Sequence, residues 1–383
     1  MLTKEELLKL QNGSDVRGVA VEGVAGESVN LTAEAVNRIA SGFVKFLSDK
    51  LGKTPSTLKI TIGNDSRISA PQIKNAVCQA LVANGAMVVD CGLASTPAMF
   101  MSTIFEEIKA DGAIMLTASH LPFNRNGMKF FTAQGGLDKP DITTILKIAA
   151  QVDELKGNVS AVKSFALIDL YAKNLREKIC KALNNAKPFD GMKIIVDAGN
   201  GSGGFFAEKI LAPLGADTTG SQFLEPDGMF PNHIPNPEDK KAMASIKKAV
   251  LENRADLGLI FDTDVDRAGA VLSDGEEISR NALIALIAAI VAPDYPAGTI
   301  ITDSITSDEL TVFLEKNLGL KHHRFKRGYK NVINECIRLN KSGVVSPLAI
   351  ETSGHGALSE NYFLDDGAYL AVKILIAAAK LYV

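Results

Sequence analysis

The chain is 383 residues long, with 41 Lys+Arg against 44 Asp+Glu and a formal net charge of −3; apolar residues make up 46 %, charged residues 22 %, with 32 Gly and 14 Pro. This is the composition of a globular protein and excludes a disordered, collagen-like or disulfide-framework chain, while the balanced charge removes the broad basic footprint of a nucleic-acid binder. At roughly 150 residues per domain, two or three domains are expected, each with its own core.

The first segment, MLTKEELLKLQNG, carries acidic residues and has neither a long apolar stretch nor a small-residue cleavage site, so it does not read as a signal peptide. Continuous apolar runs then predict strands at 58–63, 86–91, 112–117, 193–197, 257–261, 299–302 and 344–350. Amphipathic segments of helical length lie between them, at 70–84, 167–184, 240–253, 307–318 and 366–381. Such alternation predicts an α/β chain with parallel or mixed sheets covered by helices. The longest apolar span, NALIALIAAIVAP at 281–293, is well short of the roughly 20 residues a bilayer requires. It predicts a core helix, and no membrane partner is expected. Cys78, Cys91, Cys180 and Cys336 form no CxxC pair and sit in apolar or amphipathic runs, which predicts buried free thiols in a reducing, cytoplasmic compartment.

Two seams divide the alternation. Residues 151–164 are polar and precede a long helix, and LSDGEEIS at 272–279 is turn-rich and precedes another. The blocks 1–155, 165–275 and 276–383 are of ordinary domain size and share a strand–helix–strand pattern, so three consecutive similar α/β domains are expected. Ligands of open α/β sheets bind beyond the carboxyl ends of the strands. Five loops in that position carry polar, Gly-rich or acidic clusters: GNDSR at 63–67, TASHLPFNRNGMK at 117–129, DAGNGSGG at 197–204, DTDVDR at 262–267 and ETSGH at 351–355.

Asp262, Asp264 and Asp266 alternate along one short segment directly after the apolar LGLIF. Three carboxylates this close repel one another, and a hard divalent cation such as Mg²⁺ relieves the repulsion through oxygen ligands. The segment lacks the length, central Gly and closing Glu of an EF-hand; a solvated acidic turn is the plainer alternative. Ser119 and His120 sit among small residues, and Lys129 follows two residues after Gly127. No Gly-x-Ser-x-Gly elbow surrounds the serine, which argues against ester hydrolysis. Taken alone, the pair reads equally as a capping serine beside a surface histidine. Paired with a cation site it becomes coherent for phosphoryl transfer, which depends on positioning and on neutralising the transferred charge. By themselves, ETSGH reads as a polar turn or a functional loop, and Lys326 and Lys330 as a solvated face.

The ordered set TASH-x-P, NG-x-K, Asp-x-Asp-x-Asp-Arg and E-x-SGH resembles the α-D-phosphohexomutase superfamily, and within it the phosphoglucomutase/phosphomannomutase branch, from about residue 14 to the last. SDVRG at 14–18, GNDSR, DAGNGSGG, FKRGYK at 325–330 and DDGAYLAVKIL at 365–375 are similar to further segments of that family. The resemblance implies an intramolecular phosphotransferase that moves phosphate between C1 and C6 of glucose, mannose or both, through a phosphoserine and a hexose 1,6-bisphosphate that also activates. It implies Ser119 as the phosphoryl carrier with His120 beside it, and Mg²⁺ held by Asp262, Asp264, Asp266 and a phosphoserine oxygen of Ser119. Arg17, Lys129 and Arg267 would surround the transferring group. Glu351, Ser353, Lys326 and Arg67 would contact substrate, and His355 would suit proton transfer.

The three blocks then supply the serine, metal and sugar loops in turn. The family's fourth domain, with its phosphate-clamping Arg-x-Ser-Gly-Thr loop, finds no match in the sequence, which reads as a truncated form of a longer protein, with a natural three-domain relative as the alternative. Three positions depart from the pattern: Leu121 stands for a usual Asn, and Thr263 and Ile350 each stand for a usual Gly. Thr263 requires a turn compatible with a β-branched residue. The competing readings are a non-catalytic phosphosugar-binding relative and an aspartate-nucleophile phosphatase, whose loop would need Thr or Val where Asp266 stands.

Overall fold

Among the described residues, three mixed sheets of eight, four and five strands carry the architecture. The computed structural model describes residues 2–382. Its contacts fall into two compact units, one running to Ile168 with Asp227–Met229, the other comprising Asp169–Pro226 and the chain from Phe230.

The first unit holds the eight-stranded sheet, ordered Gln11–Asn12, Asp15–Val19, Arg125–Thr132, Gly112–Leu116, Lys59–Asn64, Met87–Leu93 and Lys163–Ser164, with Gly135–Gly136 beside Arg125–Thr132. Its core forms where Ile60, Ile62, Ile114 and Phe130 of the strands meet Ile39, Phe43 and Leu47, Val77 and Leu81, and Ile145 from three helices. Each such side chain contributes about 1.5–3 kcal/mol when fully buried. The first of these helices, Ala33–Leu51, starts where Thr32 caps the Ala35 amide and stops at Gly52, whose φ of 63° is left-handed. Its Gly42 lets the helix Lys139–Ala149 approach, since a Cβ there would lie 2.6 Å from the Ile145 carbonyl oxygen.

The second unit holds a four-stranded sheet, ordered Glu277–Ile278, Ala268–Leu272, Leu257–Phe261 and Ile194–Asp197, and a five-stranded one, ordered Lys321–Phe325, Thr299–Asp303, Leu348–Ile350, Gly356–Leu358 and Leu364–Asp365. The apolar span at 281–293 forms the helix Arg280–Val291, with Leu283, Ile284, Ile287, Ala288 and Val291 buried. Among the described residues, no helix is long and apolar enough to cross a membrane.

One arrangement recurs in all three sheets. A strand lies parallel to a second one, which turns back as an antiparallel hairpin into a third. The triplets are Lys59–Asn64, Gly112–Leu116 and Arg125–Thr132; Ile194–Asp197, Leu257–Phe261 and Ala268–Leu272; and Thr299–Asp303, Leu348–Ile350 and Gly356–Leu358. The loops closing these hairpins are 117–124, 262–267 and 351–355, so the serine, acidic and ETSGH segments occupy the same topological position in successive sheets.

Several elements differ from expectation for identifiable reasons. The strand expected at 344–350 is confined to Leu348–Ile350, because Pro347 has no amide to donate and Val344 and Val345 stay exposed. The helix expected at 307–318 begins at Asp308 after a Ser307 cap and widens to a π turn over Phe313–Asn317. The segment 272–279 is a hairpin turn whose second arm, Glu277–Ile278, completes the four-stranded sheet. Residues 151–164 end in Lys163–Ser164, which pairs with Met87–Leu93. All four cysteines are free; Cys180 is only half-buried, while burial pushes the thiols of Cys78 and Cys91 up to about 12 and that of Cys336 to about 11.

Candidate active site

Ser119 lies in the hairpin loop after Gly112–Leu116 with a φ of 51°, a left-handed conformation that a non-glycine residue adopts only at a cost of about 1–3 kcal/mol. Its amide donates to Thr117 Oγ1 at 2.9 Å, an ST-type turn that holds the conformation, and its Oγ is 3.4 Å from His120 Nδ1. Ser119 is 4 % exposed. The returning strand brings Lys129 opposite Met115, and Asp15–Val19 sets Arg17 opposite Gly127. Residues two apart on a strand share a face, as do directly opposed residues, so Arg17 and Lys129 lie on the same face of the sheet. Gly127 makes the approach possible: a Cβ there would lie 2.3 Å from the Val16 carbonyl oxygen and 2.8 Å from that of Thr117.

Arg67, expected to contact substrate, is committed elsewhere. Its guanidinium donates to the carbonyl oxygens of Ser119, Leu121, Pro122 and Arg125. Nε donates to Asp65 Oδ2 at 3.2 Å, and neither side chain of this pair is exposed. Arg67 therefore acts on Ser119 through the loop backbone. The loop also uses only the carbonyl of Leu121 in this contact, so the Asn-to-Leu departure leaves it intact. Replacing Arg67 with Met would strand a buried Asp65 and four carbonyls, and unfolding by denaturant is expected to show a loss of about 3–5 kcal/mol.

The acidic loop closes the hairpin between Leu257–Phe261 and Ala268–Leu272. Asp262, Asp264 and Asp266 are at most 1 % exposed, and one oxygen from each lies within 4.8 Å of the others. Arg267 accompanies them: its amide donates to Asp262 Oδ1 at 3.1 Å, and Nε and Nη2 reach Asp262 Oδ2 at 3.2 and 3.1 Å. Burial and the neighbouring Asp266 still hold the Asp262 carboxyl well above the usual range, with Arg267 opposing. Thr263 does not take the left-handed turn position; Val265 does, with φ 65° and its side chain fully buried. The DAGNGSGG turn backs this loop. Ser202 N donates to Thr263 O at 2.8 Å, and a Cβ on Gly201 would lie 2.6 Å from the same oxygen.

In the ETSGH hairpin, Glu351 is 4 % exposed; its Oε1 accepts the Gly328 amide at 2.6 Å and its Oε2 the Ser353 hydroxyl at 3.3 Å. The segment containing Lys326 is thereby tied to the loop, with Lys326 itself exposed. Ile350 sits in the strand, fully buried, where an apolar residue suits the sheet. His355 Nδ1 is 2.6 Å from Asp365 Oδ2 and 3.6 Å from Asp266 Oδ1. Burial opposes its protonation, but Asp365 and Asp266 prevail and push the imidazole up to about 9. The acidic and ETSGH loops are therefore joined, by this histidine and by the Ala268 N to Gly354 O hydrogen bond.

Three buried carboxylates converging without sulfur suit a hard cation such as Mg²⁺. Asp266 also groups with His355 and Asp365, but there Nδ1 is taken up by Asp365, so the all-oxygen set is the better cradle. Sequence reasoning missed several supports. Asn236 Oδ1 accepts from Arg267 Nη1 at 3.1 Å. His233 Nε2 lies 3.0 and 2.9 Å from the two Asp197 oxygens at the start of the Gly-rich turn, and Thr352 donates to Asp303 at 2.8 Å. Asp65, Asp197 and Asp303 all stand at or just past the end of the first strand of their triplets, a recurrence visible only once the strands are paired.

Comparison with known proteins bears on the same loops. The sequence matches the families described as phosphoglucomutase/phosphomannomutase alpha/beta/alpha domains I, II and III over residues 9–156, 169–275 and 279–381. A phosphomannomutase/phosphoglucomutase of Pseudomonas syringae pv. tomato is 30 % identical over 362 residues, covering 94 % of this chain and 72 % of the relative. One from Pseudomonas aeruginosa PAO1 is 31 % identical over 360 residues, covering 94 % and 73 %. The crystal structure of a phosphoglucomutase/phosphomannomutase family protein of Burkholderia thailandensis superposes with a TM-score of 0.79 at 25 % identity, over 99 % of this chain and 78 % of that one. With three consecutive domain matches running through every loop described above, the chain belongs to the phosphoglucomutase/phosphomannomutase family.

Proposed function

We propose that this protein interconverts hexose 1-phosphate and hexose 6-phosphate, with glucose, mannose or both as the sugar, through phosphorylated Ser119 and a hexose 1,6-bisphosphate. The observation that carries the reading is the repeated hairpin, which presents a serine, a carboxylate cluster and a Glu-x-Ser-Gly-His loop at equivalent places in three sheets. The phosphoryl group leaves Ser119 Oγ for the free sugar hydroxyl: the ester bond to Oγ breaks as the new one forms, and the hydroxyl's proton ends on the departing Oγ, restoring the serine hydroxyl. The bisphosphate returns its other phosphoryl group to Ser119. Arg17 and Lys129 supply positive charge on the serine-loop sheet, Glu351 and Ser353 offer an acceptor and a hydroxyl to paired sugar OH groups, and Lys326 adds a cation for phosphate. Such pairing penalises an analogue lacking the hydroxyls.

Asp262, Asp264 and Asp266 would hold Mg²⁺, which when bound neutralises charge on the transferring group. Arg267 orders that loop through Asp262. His355 keeps its proton between Asp365 and Asp266 and is placed to hold it for a neighbouring oxygen.

Incubation with glucose 1,6-bisphosphate and Mg²⁺, followed by intact mass and phosphopeptide mapping, is expected to place one phosphoryl group on Ser119. Stable phosphate on Asp262 or Asp264 would instead establish the phosphatase reading. Retained phosphosugar binding with no labelling would establish a binding protein.

A further inference from the structure

We infer that Tyr171 is a positioning residue for the acidic loop, acting through Asp366 and the first turn of the helix Gly367–Leu381. The inference rests on the reading of that loop as a cation site and names a residue outside every motif considered above.

Tyr171 comes from the helix Leu167–Leu183, far in sequence from the loop, and is 1 % exposed. Its hydroxyl donates to Asp366 at 2.7 Å to Oδ1 and 2.8 Å to Oδ2. Asn361 Nδ2 adds a third contact to Oδ2 at 3.0 Å, and Lys178 Nζ donates to Asn361 Oδ1 at 3.1 Å. Asp366 is also the helix cap, accepting the Tyr369 amide at 2.8 Å through Oδ1. A buried carboxylate is tolerated only when hydrogen-bonded, so its position follows these donors.

The next residue carries that position into the loop. Gly367 N donates to Val265 O at 3.1 Å, and a Cβ on Gly367 would lie 2.6–2.8 Å from backbone atoms of Arg267. Val265 sits between Asp264 and Asp266 and is held at φ 65°, where a β-branched residue stays only if its surroundings over-determine it. Asp365, one residue before the cap, meanwhile holds His355 beside Asp266. The two consecutive aspartates therefore fix both the backbone and one carboxylate of the loop. Slackening Asp366 frees Val265 to relax towards ordinary φ, which swings the peptides that orient Asp264 and Asp266 apart.

The test is Mn²⁺ affinity of the full chain by calorimetry or paramagnetic resonance, with Ile246→Val in the core of the four-stranded sheet as a comparator that lowers stability without touching the loop. Tyr171→Phe, which deletes one oxygen, is expected to weaken Mn²⁺ binding roughly tenfold, about 1.4 kcal/mol, while Ile246→Val leaves it unchanged. Asn361→Ala, which removes a different donor from Asp366, is expected to shift affinity in the same direction and serves if Tyr171→Phe does not fold. Equal affinity in wild type and both variants, or a loss matched by Ile246→Val, would overturn the positioning role alone. Absence of Mn²⁺ binding by the wild type would overturn the cation reading and this inference with it.

Discussion

Ser119→Ala is expected to abolish labelling by glucose 1,6-bisphosphate and to lower mutase turnover by roughly 10⁴-fold or more, the scale on which loss of a covalent nucleophile acts. The fold should survive. The serine loop is organised by backbone contacts, the carbonyls of Ser119, Leu121, Pro122 and Arg125 all meeting Arg67. The side-chain contact from Ser119 to His120 is long, at 3.4 Å. Stability is therefore expected to change by less than about 1 kcal/mol, and Mn²⁺ affinity of the unphosphorylated protein, assigned above to Asp262, Asp264 and Asp266, should stay within twofold of wild type. Turnover within tenfold of wild type would sink the phosphoserine assignment, whereas a joint loss of activity and stability would show Ser119 to be a structural cap. The Arg67→Met variant gives the opposite signature, with the nucleophile present but its loop unmoored.

Much of this was legible in the sequence because the parallel strands are continuous apolar runs: 257–261 appears unchanged as Leu257–Phe261, and 58–63 and 112–117 are displaced by no more than a residue at either end. The antiparallel returns were not legible. Arg125–Thr132 opens with RNG and carries Lys129, and Asp15–Val19 carries Arg17 and Gly18, so glycine and charge interrupt the alternation that marks a strand. Those interruptions include Arg17 and Lys129, the residues proposed for the site, so on that proposal function hides the elements that carry it. The acidic and ETSGH loops were visible from composition, yet their junction through His355 depends on Asp365, more than ninety residues after Asp266, and no local pattern announces it. Thr263 drew attention for its β-branch, but the left-handed residue is Val265, because the turn closes from Val265 N to Asp262 O.

A second variant separates charge from structure in the acidic loop. Asp264→Asn is expected to raise the unfolding free energy of the cation-free protein by about 1–2 kcal/mol and to remove its stabilisation by Mg²⁺. Three carboxylates within 4.8 Å and almost wholly buried face Arg267 and the His355 imidazole, which is shared with Asp365, so the cluster retains unbalanced negative charge. At an effective dielectric of about 20, a unit pair at that distance repels by about 3.5 kcal/mol before Arg267, His355 and relaxation reduce it. Asn keeps the shape and removes the repulsion. It also removes an anionic ligand, and a bound cation at a hundredfold excess over its Kd contributes about 2.7 kcal/mol to the native state. The order of stabilities should therefore cross: the variant above wild type in chelator, and below it in saturating Mg²⁺. Thermal unfolding under the two conditions reads this directly. A variant less stable than wild type in both would mean that Asp264 serves the fold as a hydrogen-bond acceptor, and the acidic hairpin would lose its claim as a cation site.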